Sequence, residues 1–319
     1  MRRPSLALTA ALTAALLLAG AALAGNGGFA PEPPASANAS RISDTYWFIF
    51  GFAAAIFLLV EGALILFIVR YRRRGRPRDA EGPQIHGSTR LELMWTVGPV
   101  LILAAIAAFV FYKLPGIKNV PAARAGNSMT IKVRAQQYAW TFEYPDGQLS
   151  VDRMVVPAGE VVRLVVTSVD VAHSWWIPKL GGKIDAIPGR TNTTWFKAVK
   201  VGVYPGQCAE FCGIQHAAMR ADVAVVPRGF YEKFLALHEP SSTAVGQETF
   251  AGTCAKCHGL AGQGYIGPKI AGSSLLSQPA ALEDLLRNGK NQMPAVAKTW
   301  GDAQLKAITT YLKRRFGGG

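Results

Sequence analysis

Charged residues are scarce in this sequence: 17% of its 319 residues are Asp, Glu, Lys or Arg, and half are hydrophobic. So low a polar content leans toward a chain with membrane segments. The length leaves room for two folded domains beside them. The shortage is lopsided, with 20 acidic residues against 34 basic and a formal charge of +14. That excess does not mark a nucleic-acid binder, because no groove-like segment interleaves the basic residues with stacking aromatics. Histidine is rarer still: there are five, too few for a large His-rich catalytic domain. Cysteine numbers four, all within "CAEFC" at 208–212 and "CAKC" at 254–257. Two disulfides or two redox centres are the alternatives this leaves.

The first 24 residues, "MRRPSLALTAALTAALLLAGAALA", have a basic start, an apolar stretch and a small-residue end, the pattern of a secretory signal peptide. No Cys follows near Ala24, which excludes lipid attachment there. A two-helix transmembrane hairpin is expected over 42–113. Its first span, Tyr46–Val69, is 24 residues long and interrupted only by Glu61. At about 1.5 Å per residue that crosses a bilayer core of about 30 Å. Leu93–Tyr112 gives a second span, and Trp47, Trp95 and Tyr112 near the ends suit interfacial anchoring. Between the spans, residues 70–90 carry seven basic and two acidic residues. Positive loops stay cytoplasmic, so everything after Tyr112 is expected outside. Glu61 reads as an acid buried against a partner helix. Glu92, by its position alone, reads as a solvated residue at the start of the second span.

From Met129 to Pro227 the pattern changes to short alternating segments rich in β-branched residues, punctuated by "YPDGQ", "VPAGE", "LGGK" and "IPGR". This predicts an all-β sandwich over 128–237. "GFYEKFLALHE", 229–239, has helical spacing, and 238–246 reads as a short polar linker. Helical signals at Gln247–Cys254, Pro279–Asn288 and Asp302–Arg315 predict a separate all-α domain over 247–316.

"CAKCH", 254–258, is a C-x-x-C-H sequence. It reads as covalent haem attachment, with thioethers at Cys254 and Cys257 and His258 on the iron. The same C-x-x-C could serve a disulfide oxidoreductase, but that motif expects a βαβ setting and this one sits in a helical domain. An electron-transfer haem often takes Met as second axial ligand, and Met293 is the one Met after residue 219.

In "CAEFCGIQHAAM", Cys208, Cys212, His216 and Met219 form C-x3-C-x3-H-x2-M. Thiolate, imidazole and thioether together suit copper, and a thioether is a poor zinc ligand. Two thiolates fit one blue copper badly but could bridge two ions, each then needing its own His. His173 and His238 remain for that role, and His173, at a strand–loop junction, is the better placed. A Cys208–Cys212 disulfide is the alternative.

The segments "LELMWTVGPVLIL", "DVAHSWWIPKLGGKIDAIPGRTNTTW" and "YPGQCAEFCGIQHAAM" resemble cytochrome c oxidase subunit II over roughly residues 42–237. The tail, from about 245 to 316, is similar to a class I cytochrome c. The whole resembles the cytochrome c-fused subunit II of bacterial haem–copper oxidases. The resemblance implies a cupredoxin-like Greek-key sandwich with a binuclear copper centre, CuA. Cys208 and Cys212 would bridge the coppers, His173 and His216 would cap one each, and Met219 and the Glu210 carbonyl would complete the sites. The Glu210 side chain would help bind Mg at the subunit I interface. Glu92 matches a family glutamate at the mouth of a proton pathway, and Cys254, Cys257, His258 and Met293 would hold one haem c. The family commonly has a Trp where this chain has Tyr138, and that Trp receives electrons from a soluble cytochrome.

The implied function is electron input to a respiratory terminal oxidase in the bacterial inner membrane, with both redox domains on the periplasmic side. Subunits I and III would be partners, and the donor an external cytochrome or a bc-type complex. The α domain carries nine Lys/Arg against four Asp/Glu, which suits an acidic donor or anionic lipid. A nitric oxide reductase subunit with the same sites, or a copper-binding assembly protein, are the competing readings. Nitrous oxide reductase would need a His-rich domain that five histidines cannot supply.

Overall fold

The computed structural model describes residues 30–72, 75, 82, 84–122 and 128–317. The signal peptide expected over 1–24 lies outside the described residues, as does much of the basic loop.

Two long helices come first: α1, Ala37–Tyr71, and α2, Thr89–Lys118. Both are long and apolar enough to span a membrane, and their most apolar stretches are unburied by the protein, as a lipid-facing surface requires. Each runs past its apolar core. α1 starts at Ala37 because the Ser36 hydroxyl accepts the Ala39 N–H and caps the first turn. The added turns fasten the hairpin to the domain above. Asn38 donates to the Trp195 carbonyl at 2.9 Å, and the Trp195 indole donates to the Ile117 carbonyl at 3.0 Å. Lys113 pairs with Asp44, and Phe48 stacks on Phe109.

Ten strands then form two five-stranded sheets. They are β1 Ser128–Gln136, β2 Ala139–Glu143, β3 Leu149–Val151, β4 Arg153–Pro157, β5 Val161–Ser168, β6 His173–Trp176, β7 Ile184–Ala186, β8 Asn192–Phe196, β9 Gly202–Cys208 and β10 Arg220–Val226. One sheet has the order β3-β2-β1-β5-β8 and the other β4-β10-β9-β6-β7. β1 runs parallel to β5 and β4 parallel to β10, so the chain crosses between sheets in Greek-key fashion. Alternation explains the layers: Ile131, Val133 and Ala135 of β1 point inward, with Lys132 between them outward. Trp140, Phe142, Tyr144, Met154, Leu164 and Phe196 fill the space between the sheets.

Helix α3, Arg228–Leu237, closes the sandwich by burying Tyr231. The next segment differs from the polar linker read over 238–246. His238 is buried, and helix α4, Thr243–Thr249, begins inside the segment. The Ser242 hydroxyl accepts the Val245 N–H and starts that helix, while Gly246 lets it cross closely over the C-terminal helix. A single π-helical turn, Phe250–Cys254, joins α4 to α5, Ala255–His258. Helices α6, Pro279–Asn288, and α7, Asp302–Phe316, complete the domain around Phe250, Leu282, Leu286, Trp300, Ile308 and Phe316.

Candidate copper and haem centres

The hairpin loop between β9 and β10 builds the first site. Cys208 ends β9, and its N–H donates to the carbonyl of Met219, so the two ends of the loop face each other. Cys212 and His216 sit within the loop. β6 pairs with β9, which puts His173, the first residue of β6, beside Cys208. His173, Cys208 and Cys212 are buried with their ligand atoms within 4.8 Å of one another.

The two sulfurs lie 3.9 Å apart and both cysteines are free. A disulfide would need about 2.05 Å. A metal–thiolate bond is about 2.3 Å, longer than half the separation, so both sulfurs can reach the same ion. His173 Nδ1 is 3.9 Å from Cys208 Sγ, and His216 Nδ1 is 3.5 Å from Cys212 Sγ. Met219 Sδ is 3.8 Å from Cys212 Sγ, and the Glu210 carbonyl is 3.2 Å from Cys208 Sγ. Imidazole, thioether and carbonyl donors thus each lie within 3.9 Å of one or other of the two buried sulfurs, a donor set that fits copper. The Glu210 side chain points away from it, to Lys183 at 3.6 Å.

Burial and the neighbouring groups act on the two thiols together. Burial raises the Cys208 thiol, but the His173 ring and the backbone at Ser174 and Glu210 outweigh it and bring it down to about 7. Burial and the neighbouring Cys208 push Cys212 up to about 12. Burial lowers His173, yet its hydrogen bonds to Asp170 and Cys208 leave it above the ordinary value.

Asp170 is a residue that local spacing does not single out. Its Oδ1 meets His173 Nε2 at 2.9 Å, which leaves Nδ1 turned toward the sulfurs. The Val171 N–H donates to the same oxygen at 2.7 Å, and the Gln137 N–H donates to Oδ2 at 2.7 Å. Burial raises the Asp170 carboxyl, but these donors prevail and hold it below the usual range. His238, the other candidate imidazole, is elsewhere: it bonds the Phe234 carbonyl and Glu248.

In the helical domain, Cys254, Cys257 and His258 lie on the short run through α5. His258 Nδ1 contacts the Pro268 carbonyl at 2.6 Å, which fixes the ring and leaves Nε2 for an iron. Met293 is held by a tight turn in which Lys290 and Met293 exchange backbone hydrogen bonds, with Asn291 at φ 54°. Met293 packs against the domain core, and Leu260, Tyr265 and Ile266 expose apolar surface near the attachment run. An apolar macrocycle attached through two thiols suits such a surface. Burial raises Cys254 to about 12, and it raises Cys257 as well. Glu92 lies in the first turn of α2, and Glu61 lies exposed on α1; neither belongs to these centres.

Comparison with known proteins agrees with this architecture. Residues 25–112 match the family described as cytochrome c oxidase subunit II, transmembrane domain. Residues 147–226 match cytochrome c oxidase subunit II, periplasmic domain, and 241–312 match cytochrome c oxidase, cbb3-type, subunit III. A cytochrome c oxidase subunit 2 of Alkalihalophilus pseudofirmus is 33% identical over 290 residues, 82% of this chain and 83% of that protein. A probable cytochrome c oxidase subunit 2 of Rickettsia bellii is 34% identical over 227 residues, 64% of this chain and 82% of its own. The crystal structure of the periplasmic domain of subunit II of cytochrome oxidase from Bradyrhizobium japonicum is 38% identical. It covers 37% of this chain and 96% of its own, with a TM-score of 0.35.

The fold and the two sites define a membrane-anchored redox subunit with a copper-binding sandwich and a haem-binding domain. The chain belongs to the cytochrome c oxidase subunit II family, whose members are subunits of an oxidoreductase.

Proposed function

We propose that this chain is the subunit through which electrons enter a respiratory cytochrome c oxidase. The observation that carries the reading is the pair of free thiols 3.9 Å apart, flanked by one imidazole each, in a member of this family. When bound, a haem c and a binuclear CuA centre would relay single electrons from an external cytochrome or bc-type donor to the oxygen-reducing subunit I.

Cys208, Cys212, His173, His216 and Met219, with the Glu210 carbonyl, would hold the copper, and Cys254, Cys257, His258 and Met293 would hold the haem. Cys208, Cys212 and Met219 are buried and the two ends of the loop are joined by the Cys208 N–H to Met219 carbonyl bond, which would hold the copper ligands in a fixed arrangement. The Glu210 carboxylate, turned outward with Lys183, is available to a Mg ion shared with subunit I. Glu92 serves at a proton pathway at the membrane surface. The two domains stand on the periplasmic side of the inner membrane, beside subunits I and III, because the basic residues of the 70–90 loop hold that loop in the cytoplasm.

The test is oxygen consumption by the purified membrane complex, fed by ascorbate through a mediator. Cyanide-sensitive uptake that collapses in His216→Ala and Met293→Leu is expected. A complex that ignores oxygen and consumes nitric oxide overturns the named reaction.

A further inference from the structure

The two redox domains are joined by more than their linker. Lys256 lies inside the haem-attachment sequence, between Cys254 and Cys257. The ordinary place for a lysine in a small basic domain is solvent. This one crosses to the sandwich: its Nζ donates to the Tyr138 carbonyl at 2.5 Å and pairs with Asp152 Oδ2 at 2.6 Å. Their side chains are 12% and 23% exposed. Asp152 is set before the lysine arrives. It takes the left-handed backbone (φ 61°) between β3 and β4, which Asp tolerates better than most residues, and its Oδ1 accepts the Trp140 N–H.

The segment that Lys256 grips is also tied to the copper loop. Gln137, bonded to Tyr138, donates its side-chain amide to the Cys212 carbonyl at 2.5 Å, and its N–H donates to Asp170, the partner of His173. The route from Cys257 to Cys212 therefore consists of covalent bonds and two hydrogen bonds, Lys256 to Tyr138 and Gln137 to Cys212. Both ends are in contact. A Cβ on Gly213 would fall 2.6 Å from Tyr138 Oη, and one on Gly252 would fall 2.6 Å from Val151 Cγ1.

We propose that Lys256 is a positioning residue that latches the haem-attachment turn onto Gln136–Tyr138 and so fixes the haem site against the copper site. The proposal rests on the reading of those two sites given above. Other contacts widen the dock without entering the attachment sequence. The Trp300 indole donates to Gln136 Oε1, Gln136 Nε2 donates to the Val296 carbonyl, and Glu248 accepts the Val151 N–H. The step served is transfer of one electron: the haem iron is oxidised, the copper pair is reduced by one equivalent, and no bond or proton changes hands. The electron comes from a reduced external cytochrome. Truncating Lys256 leaves the Asp152 carboxylate in the interface without its counter-charge, a change that strongly weakens such contacts.

The test uses the full chain in detergent with copper and haem loaded, as wild type, Lys256→Ala, Lys256→Arg and Asp152→Asn. Two quantities are read: backbone hydrogen exchange over residues 134–140 and 150–153, and the rate at which an electron injected at the haem reaches copper. Lys256→Ala and Asp152→Asn are expected to exchange at least about tenfold faster in those segments and to slow the transfer at least about tenfold. Haem absorbance and the copper resonance spectrum, which report folding and loading, stay unchanged, and Lys256→Arg recovers most of both effects. Exchange like wild type in Lys256→Ala and Asp152→Asn overturns the latch, whatever the transfer rate. A wild-type chain that passes no electron from haem to copper, with exchange still sensitive to Lys256, overturns the functional reading and leaves the latch standing.

Discussion

Replacing Asp170 by Asn tests whether the His173 imidazole is aimed by its neighbour. The substitution keeps the side-chain volume and one acceptor but removes the negative charge that faces His173 Nε2 at 2.9 Å. A hydrogen bond to an ionised partner is roughly twice as strong as a neutral one. Loss of an outer partner of a ligating histidine typically costs about 10–100-fold in metal affinity. At about 1.4 kcal/mol per tenfold, that is roughly 1.4–2.8 kcal/mol. The value for Asp170 belongs toward the upper end, because the same carboxylate also orders the Gln137 and Val171 backbone. Copper affinity is measured by competition with a chelator on the full chain. Glu143→Gln, which alters a carboxylate paired with Lys132 and away from the sulfurs, is the control. Asp170→Asn with wild-type copper affinity and wild-type melting would refute the reasoning.

Three further outcomes are expected. Gln136→Leu strands the buried Trp300 indole N–H, a loss of about 1–3 kcal/mol, and limited proteolysis should then cut the 238–243 segment faster than in wild type. Gly246→Ala places a Cβ 2.4 Å from the Ala307 carbonyl where α4 crosses α7. Overpacking of this kind costs about 1–3 kcal/mol, and a thermal melt followed at the haem absorbance should show it. Burial opposes the charged form of His238, but Glu248 and the Phe234 carbonyl outweigh it and raise its pKa. The stability this pair adds is therefore complete below pH about 6.5 and lost as pH rises through the raised value. The gap in melting temperature between wild type and Glu248→Gln should narrow as pH rises through that window, leaving only what the Val151 N–H bond to Glu248 contributes.

Much of this was legible in short-range sequence. The two apolar runs announce α1 and α2, the alternation in "TIKVRAQ" announces β1, and the C-x3-C-x3-H-x2-M spacing already confines four donors to one loop. His173, 35 residues from Cys208, lies beyond any local spacing and was reached by elimination among five histidines, by its strand–loop position and by the family resemblance of its segment. Asp170 was adjacent but silent, since an Asp three residues before a His is common and only the folded loop turns it onto the ring. The bond from Lys256 to Tyr138 spans 118 positions and obeys no local period. The start of α4 was hidden because Ser242 and Thr243 read as linker by composition, while the Ser242 cap and the Gly246 crossing make them helix.

The most direct test of the copper assignment is electron paramagnetic resonance of the purified, copper-loaded chain with its metal content determined. An unpaired electron shared by two equivalent copper nuclei gives seven hyperfine lines, and a binuclear centre requires that pattern with two coppers per chain. Four lines and a single copper would contradict it.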